Sequence, residues 1–118
     1  MLVDDSATTL MLEKAVLESS TSYDLVLARN GEEAVEKAVS EKPDLILMDV
    51  VMPRMDGFEA CRNMRAREET KSTPIILVTT RGSEQDFETG YMSGCNDYIT
   101  KPFEGPEITT LLKHYLGE

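Results

Sequence analysis

The chain predicts an α/β fold of three layers, a five-stranded parallel sheet between two layers of helices. Three observations carry this. Apolar β-type runs alternate with helix-type segments along the whole chain, the pattern of βαβ units. Three of the runs, Leu25–Leu27, Leu45–Met48 and Ile75–Val78, are apolar almost throughout, as strands covered on both faces are. Residues that cap or stop helices fall at the joins.

The first strand, Met1–Asp4, starts at Met1 and is short. Ser6 caps a first helix over Ser6–Ser20. In that helix Leu12, Ala15 and Val16 make one face, and Leu10 and Leu17 point nearly opposite, as minor apolar exposure. The second strand spans Tyr23–Ala28. Asn30-Gly31 then turns into a second helix, Glu32–Glu41, where Glu32 and Glu33 suit the positive end of the dipole. Pro43 stops that helix before a third strand, Asp44–Asp49. Asp56-Gly57 reads as a turn into a third helix, Gly57–Glu68. Pro74 opens a fourth strand, Pro74–Thr79, a position proline tolerates. The fourth helix, Ser83–Ser93, holds Thr89 and Gly90, a weak pair for a helix interior, so it is expected to be the least stable. Gly94 supplies its left-handed stop. The fifth strand is Asp97–Thr100, and Pro106 takes the first position of a last helix, Pro106–Leu116. There Ile108, Leu111, Leu112, Tyr115 and Leu116 make one apolar face.

The 118 residues, with 41% hydrophobic and 29% charged, read as one globular domain over 1–118. No apolar run approaches the ~20 residues that cross a bilayer, and no secretory signal pattern is present. A net charge of −10 argues against direct nucleic-acid binding. Cys61 and Cys95 match no zinc spacing and read as reduced, apolar thiols of a cytoplasmic protein. His114 reads as a surface histidine, and Met48, Met52, Met55 and Met64 as packing.

The chemistry lies at the strand ends. Leu2-Val3 run into Asp4-Asp5, Leu45–Met48 run into Asp49, Ile75–Val78 run into Thr79, and Tyr98-Ile99-Thr100 run into Lys101. Ligands of open parallel sheets bind beyond the carboxyl ends of strands. A carboxylate closing a buried strand is costly unless something pairs with it. Clustered carboxylates recruit cations, and oxygen ligands without histidine or thiolate favour Mg²⁺. A carboxylate can also act as nucleophile and form an aspartyl phosphate, a transfer that needs alignment and neutralisation of the phosphoryl oxygens.

The motifs Leu2-Val3-Asp4-Asp5-Ser6, Asp44–Asp49 with Met52-Pro53-Arg54-Met55-Asp56-Gly57, Val78-Thr79, and Asp97–Phe103 occur in this order. Together they resemble the receiver domain of bacterial two-component response regulators, over essentially the whole chain. The resemblance implies a flavodoxin-like strand order 2-1-3-4-5 and a role at each matching position. Asp49 is then the phosphoacceptor. Asp5, Asp49 and the Val51 carbonyl hold Mg²⁺, which Mn²⁺ could replace, with Asp4 assisting through water. Lys101 contacts the phosphoryl group, and its bond to Pro102 is cis. Thr79 turns to the phosphate and Tyr98 follows inward, switching the surface of helix 4, strand 5 and helix 5, which is also a possible dimer face. The donor is a phosphohistidine on a sensor histidine kinase or a histidine phosphotransfer protein. Leu10 and Leu17 then become a docking patch for that partner. No separate substrate is turned over, so the domain is not an enzyme in the usual sense.

Three positions depart from the usual pattern. Thr80 is bulkier than the alanine, glycine or serine expected after the switch threonine and narrows access to Asp49. Val51 offers no polar group to orient water, and Arg81 screens the phosphate. These imply slow hydrolysis of phospho-Asp49. Two other readings remain. One is an interaction module that keeps the fold without phosphorylation, against which the intact set Asp5, Asp49, Thr79 and Lys101 argues. The other is an aspartyl phosphatase of haloacid dehalogenase type, which typically carries a second aspartate where this chain has Val51. The start at Met1 reads as trimmed, and a stand-alone regulator and a piece of a longer one both fit. The kinase, pathway and downstream target are not written in the sequence.

Overall fold

The computed structural model describes residues 1–80, 82–101 and 105–117. Among them the elements run β1 (Leu2–Val3), α1 (Ala7–Ser20), β2 (Leu27–Ala28), α2 (Gly31–Glu41), β3 (Ile46–Met48), α3 (Gly57–Arg65), β4 (Ile75–Thr79), α4 (Glu84–Ser93), β5 (Asp97–Thr100) and α5 (Gly105–Leu116). The five strands form one parallel sheet in the order β2-β1-β3-β4-β5. The chain steps from β1 outward to β2 and returns past β1 to β3, so the direction of winding reverses between β1 and β3. That reversal opens a crevice at the carboxyl ends of these two strands.

The pleat divides the core. Ile46 and Met48 of β3, with Ile75 and Leu77 of β4, point to one face and pack with Val35, Phe58, Cys61 and Met64 of α2 and α3. Leu47 of β3, with Ile76 and Val78 of β4, points to the other face and packs with Leu10 and Leu17 of α1 and Ile108 and Leu112 of α5. Both faces of the central strands are therefore covered, which is why their sequences run apolar without alternation.

The cap predicted at Ser6 forms, and three further caps join it. The Ser6, Asn30, Asp56 and Ser83 side chains each accept the backbone N–H three residues on. Asp56 is thus the N-cap of α3 rather than only a turn residue. Gly94 ends α4 in the left-handed region at φ 103°. β1 and β2 keep two paired residues each, because β2 pairs only where β1 lies beside it, Leu2 opposite Leu27 and Val3 opposite Ala28. α3 ends at Arg65, short of Glu68, where the Thr70 hydroxyl donates to the Met64 carbonyl at 2.7 Å and turns the chain. α5 begins at Gly105, one residue before Pro106.

The face assigned to α1 needs correction. Leu10 and Leu17 are buried in the core, while Met11 and Leu12 are 71% and 64% exposed. Apolar residues occur all around this helix, so periodicity alone did not fix its phase. Ser6 does: it caps the helix directly after Asp5, with Thr9 N–H 3.2 Å from its hydroxyl oxygen, and this turns Leu10, Glu13 and Leu17 inward. Leu10 and Leu17 are therefore not a docking patch.

Gly90, a poor helix residue, has a packing reason. A Cβ there would lie 2.5 Å from Cδ2 of the Tyr98 ring, so α4 approaches β5 closely only because the side chain is missing.

Arg65, the last residue of α3, ties the amino-end side of the sheet together. Its guanidinium donates to the carbonyls of Gly94 (2.8 Å), Thr73 (2.8 Å) and Thr70 (3.3 Å) and to Oδ1 of Asn96 (2.8 Å). The same Asn96 oxygen accepts the N–H of Ile75 at 2.8 Å. The turn into β4 and the turn into β5 thus share one cation.

Candidate functional site

The residues singled out at the strand ends meet at the β1/β3 crevice. Asp4 follows β1 and is buried. Its Oδ1 accepts the Ser6 N–H at 2.9 Å, and its Oδ2 accepts from the Lys101 ammonium at 2.5 Å. Asp5, one residue on, is exposed. Asp49 follows β3. Its Oδ1 accepts the Val50 N–H at 2.8 Å, and its Oδ2 lies 3.5 Å from Lys101 Nζ. One oxygen from each of Asp4, Asp5 and Asp49 can be chosen so that all three lie within 4.8 Å of one another.

Gly57 lets the loop after Asp49 close over it. A Cβ on Gly57 would sit 2.3 Å from the Asp49 carbonyl oxygen, and the Gly57 N–H donates to the Val50 carbonyl at 2.8 Å. The Asp56-Gly57 pair therefore does two things: aspartate caps α3 and glycine admits the backbone that carries Asp49.

The sheet register brings in the remaining groups. Thr79 ends β4 opposite Thr100 and is fully buried. The Lys101 N–H donates to the Thr79 carbonyl at 2.8 Å, so the cation and the threonine hang from one hydrogen bond. Tyr98 is buried on β5, its ring 4.6 Å from Phe87 and 6.4 Å from Phe58. Thr80 is exposed, and Val51 presents an apolar side chain to solvent. Arg81 and the Lys101–Pro102 bond lie outside the described residues.

The electrostatics follow from crowding. Burial raises the pKa of Asp49; Lys101 opposes this, Asp4 adds to it, and the Val50 N–H opposes it. Burial pulls the Lys101 pKa down, but its hydrogen bond to Asp4 and the charges of Asp49, Asp4 and Glu13 carry it up on balance. Lys101 stays an ammonium.

Glu13 was not picked out from the sequence. It is 7% exposed, and burial first, then the charges of Asp4 and Asp49 against that of Lys101, push its pKa up to about 7. The available signal was the spacing Leu10, Glu13, Leu17, which sets an acid in an apolar stripe once the phase of α1 is known.

This donor set fits a hard divalent cation. It consists of carboxylate oxygens, with no histidine or thiolate in the cluster, and the exposed Asp5 and half-buried Asp49 face the crevice from adjacent strand ends.

A doubly wound sheet of this order, with three aspartates and a lysine at its switch point, defines the class of the receiver domains. The chain belongs to the family described as the response regulator receiver domain, which matches residues 1–113. It is 42% identical over 113 residues to the protein PilH of Pseudomonas aeruginosa, covering 96% of this chain and 90% of that one. It is 40% identical over 116 residues to the alkaline phosphatase synthesis transcriptional regulatory protein PhoP of Bacillus subtilis, covering 98% of this chain but 47% of that one. The chain thus spans about half the length of PhoP. Among solved structures it superposes with a TM-score of 0.91 and 35% identity on the receiver domain of a sensor histidine kinase from Pseudomonas aeruginosa, covering 99% of this chain and 95% of that one. That structure has a magnesium ion coordinated in its active site cleft. The chemotaxis protein CheY4 of Vibrio cholerae matches with a TM-score of 0.88 and 32% identity, covering 97% of this chain and 94% of that one. The chain is a receiver domain of two-component signalling. No helix among the described residues is long and apolar enough to cross a membrane.

Proposed function

We propose that Asp49 is the phosphoacceptor of a Mg²⁺-dependent phosphorelay and that residues 1–118 work as one switching domain. The observation that carries this is the position of the Lys101 ammonium, 2.5 Å from Asp4 and 3.5 Å from Asp49, beside an exposed Asp5. An Asp49 carboxylate oxygen attacks phosphorus in line. The P–N bond of a phosphohistidine breaks as the O–P bond forms, the electron pair goes to the ring nitrogen, and the imidazole leaves neutral with the proton already on its other ring nitrogen. Lys101 lies where it can move from sharing Asp4 to contacting a phosphoryl oxygen. Asp5, Asp49 and the Val51 carbonyl are the residues that would hold Mg²⁺, with Asp4 assisting through water. When bound, the ion neutralises the phosphoryl oxygens as charge builds on them.

The donor is a sensor histidine kinase or a histidine phosphotransfer protein in the cytoplasm, and the domain turns over no separate substrate. Thr79, tied to Lys101 through its carbonyl, supplies the hydroxyl that turns to the phosphate. Tyr98, packed between Phe58 and Phe87, passes the change to the face of α4, β5 and α5, where a downstream target or a second copy binds. Phosphorylation favours a state the free domain already samples.

Intact-mass measurement after incubation with acetyl phosphate and Mg²⁺ tests this. A phosphoryl adduct that requires Mg²⁺ and is lost in Asp49→Asn is the expected result. A wild type that binds Mg²⁺ but takes no adduct from either acetyl phosphate or a phosphohistidine donor overturns it in favour of a phosphorylation-independent module.

A further inference from the structure

The loop after Asp49 rests on a residue that has no role in the steps above. Residues 50–57 form a closed ring. The Val50 carbonyl accepts the Gly57 N–H at 2.8 Å, and the Val50 N–H donates to Asp49 Oδ1 at 2.8 Å. Within the ring Met52 is buried, and at the tip Pro53 and Arg54 are exposed. The tip is strained. Arg54 has φ 70°, and the Met55 N–H donates to the Pro53 carbonyl at 2.8 Å. A three-residue turn with a positive central φ is the rare and costly form, so it persists only where its surroundings hold it.

The first residue of α2 holds it. A Cβ on Gly31 would fall well inside contact distance of the Met55 carbonyl oxygen and 3.0 Å from both the Met55 carbonyl carbon and its Cβ. The tip therefore lies against bare backbone. The helix is the firmer side of this contact. Gly31, Ala34, Val35 and Ala38 are buried, the Asn30 side chain accepts the Glu33 N–H at 2.8 Å, and Lys37 Nζ donates to the Leu27 carbonyl of β2 at 2.5 Å. The Arg54–Glu32 ion pair, 3.5 Å long and exposed, adds little to the hold.

We propose that Gly31 is a positioning residue. Its missing side chain sets how far the loop between β3 and α3 closes, and so where the Val51 carbonyl stands relative to Asp5 and Asp49. The inference rests on the reading above, in which that carbonyl is a Mg²⁺ ligand. A methyl group at position 31 drives Met55 back by on the order of 1 Å, and the ring closed by Val50 and Gly57 carries the displacement to Val51. The Asp5 and Asp49 carboxylates can readjust through their side-chain torsions, and a backbone carbonyl cannot. Mg²⁺ demands near-ideal octahedral geometry, whereas Ca²⁺ accepts longer and less regular contacts. A displaced carbonyl therefore weakens Mg²⁺ more than Ca²⁺. A general loss of stability weakens both alike.

The experiment measures Mg²⁺ and Ca²⁺ affinity in the full chain from the rise of the urea midpoint with each ion, a readout that a marginally stable variant still gives. Gly31→Ala is expected to weaken Mg²⁺ about tenfold and Ca²⁺ less than about threefold. Met55→Gly loosens the same contact from the loop side without a clash and is expected to lower the ratio of Mg²⁺ to Ca²⁺ affinity in the same direction. Ala38→Gly weakens the same helix away from the loop and is expected to keep the wild-type ratio. In the metal-free protein the Val51 and Met52 amide resonances are expected to shift in Gly31→Ala and not in Ala38→Gly. A ratio that is unchanged in Gly31→Ala and Met55→Gly, or that falls equally in Ala38→Gly, overturns the inference and leaves the phosphoacceptor reading intact. A wild type that binds no Mg²⁺ and takes no phosphoryl group overturns both.

Discussion

Lys101 stands closer to Asp4 than to Asp49, 2.5 Å against 3.5 Å, so the lysine of this site is held by the aspartate of β1. Asp4 is 1% exposed and depends on that cation. Lys101→Met leaves a buried carboxylate without its partner and is expected to lower the unfolding free energy by about 2–4 kcal/mol. Asp49→Asn removes a carboxyl whose pKa burial has raised, and is expected to be neutral or to stabilise by about 1 kcal/mol. Urea melts of the two variants check this. Equal losses would mean that Lys101 serves both acids alike.

Glu13 makes stability depend on pH. Its folded-state pKa of about 7 lies above the ordinary value of 4.5, so the folded state binds its proton more tightly. The penalty is absent below the unfolded pKa, grows as pH rises from about 4.5 to about 7, and is complete above that. The full size is roughly 3 kcal/mol. The stability difference between Glu13→Leu and wild type is expected to widen across this window and to level off beyond it. A difference that stays constant from pH 4.5 to 8 would contradict this.

Val51 gives water nothing to hold beside Asp49. Phospho-Asp49 is expected to hydrolyse slowly, and Val51→Asn to shorten its lifetime roughly tenfold by orienting a water molecule. Decay of the adduct after removal of the donor measures this. A lifetime that is short in the wild type and unchanged in the variant would contradict it.

Gly90→Ala sets a methyl against the Tyr98 ring. Alanine is the better helix former by about 1 kcal/mol, yet the variant is expected to lose about 1–3 kcal/mol from overpacking. Gly90→Ala with Tyr98→Leu is expected to recover most of that loss. Additive effects in the double-mutant cycle would place the strain elsewhere.

Much of this was legible because it is local. Ser6 announces its helix by the group it must satisfy, Asn30-Gly31 marks the turn into the next, and Ile75–Val78 announces a strand buried on both sides. Asp4, Asp5, Asp49 and Lys101 could be placed together because each follows a strand. What stayed hidden depended on how elements face one another. The phase of α1 was ambiguous while its apolar residues ran all around it, and with the wrong phase Leu10 and Leu17 lay outside and Glu13 drew no attention. Gly90 read as a weak point because nothing in its neighbours reveals that Tyr98 lies across it. The difference between Asp4 and Asp5, one buried against the lysine and the other exposed at the crevice, is likewise a property of the packed sheet and not of the dipeptide.

The Arg65 fork has a mechanical consequence. It fastens the starts of β4 and β5 to the end of α3, at the end of the sheet remote from Asp49, Thr79 and Lys101. Any displacement of Thr79 is thus resisted from the opposite end of β4, where one guanidinium moors the strand, and the distance between mooring and load is the length of one short strand.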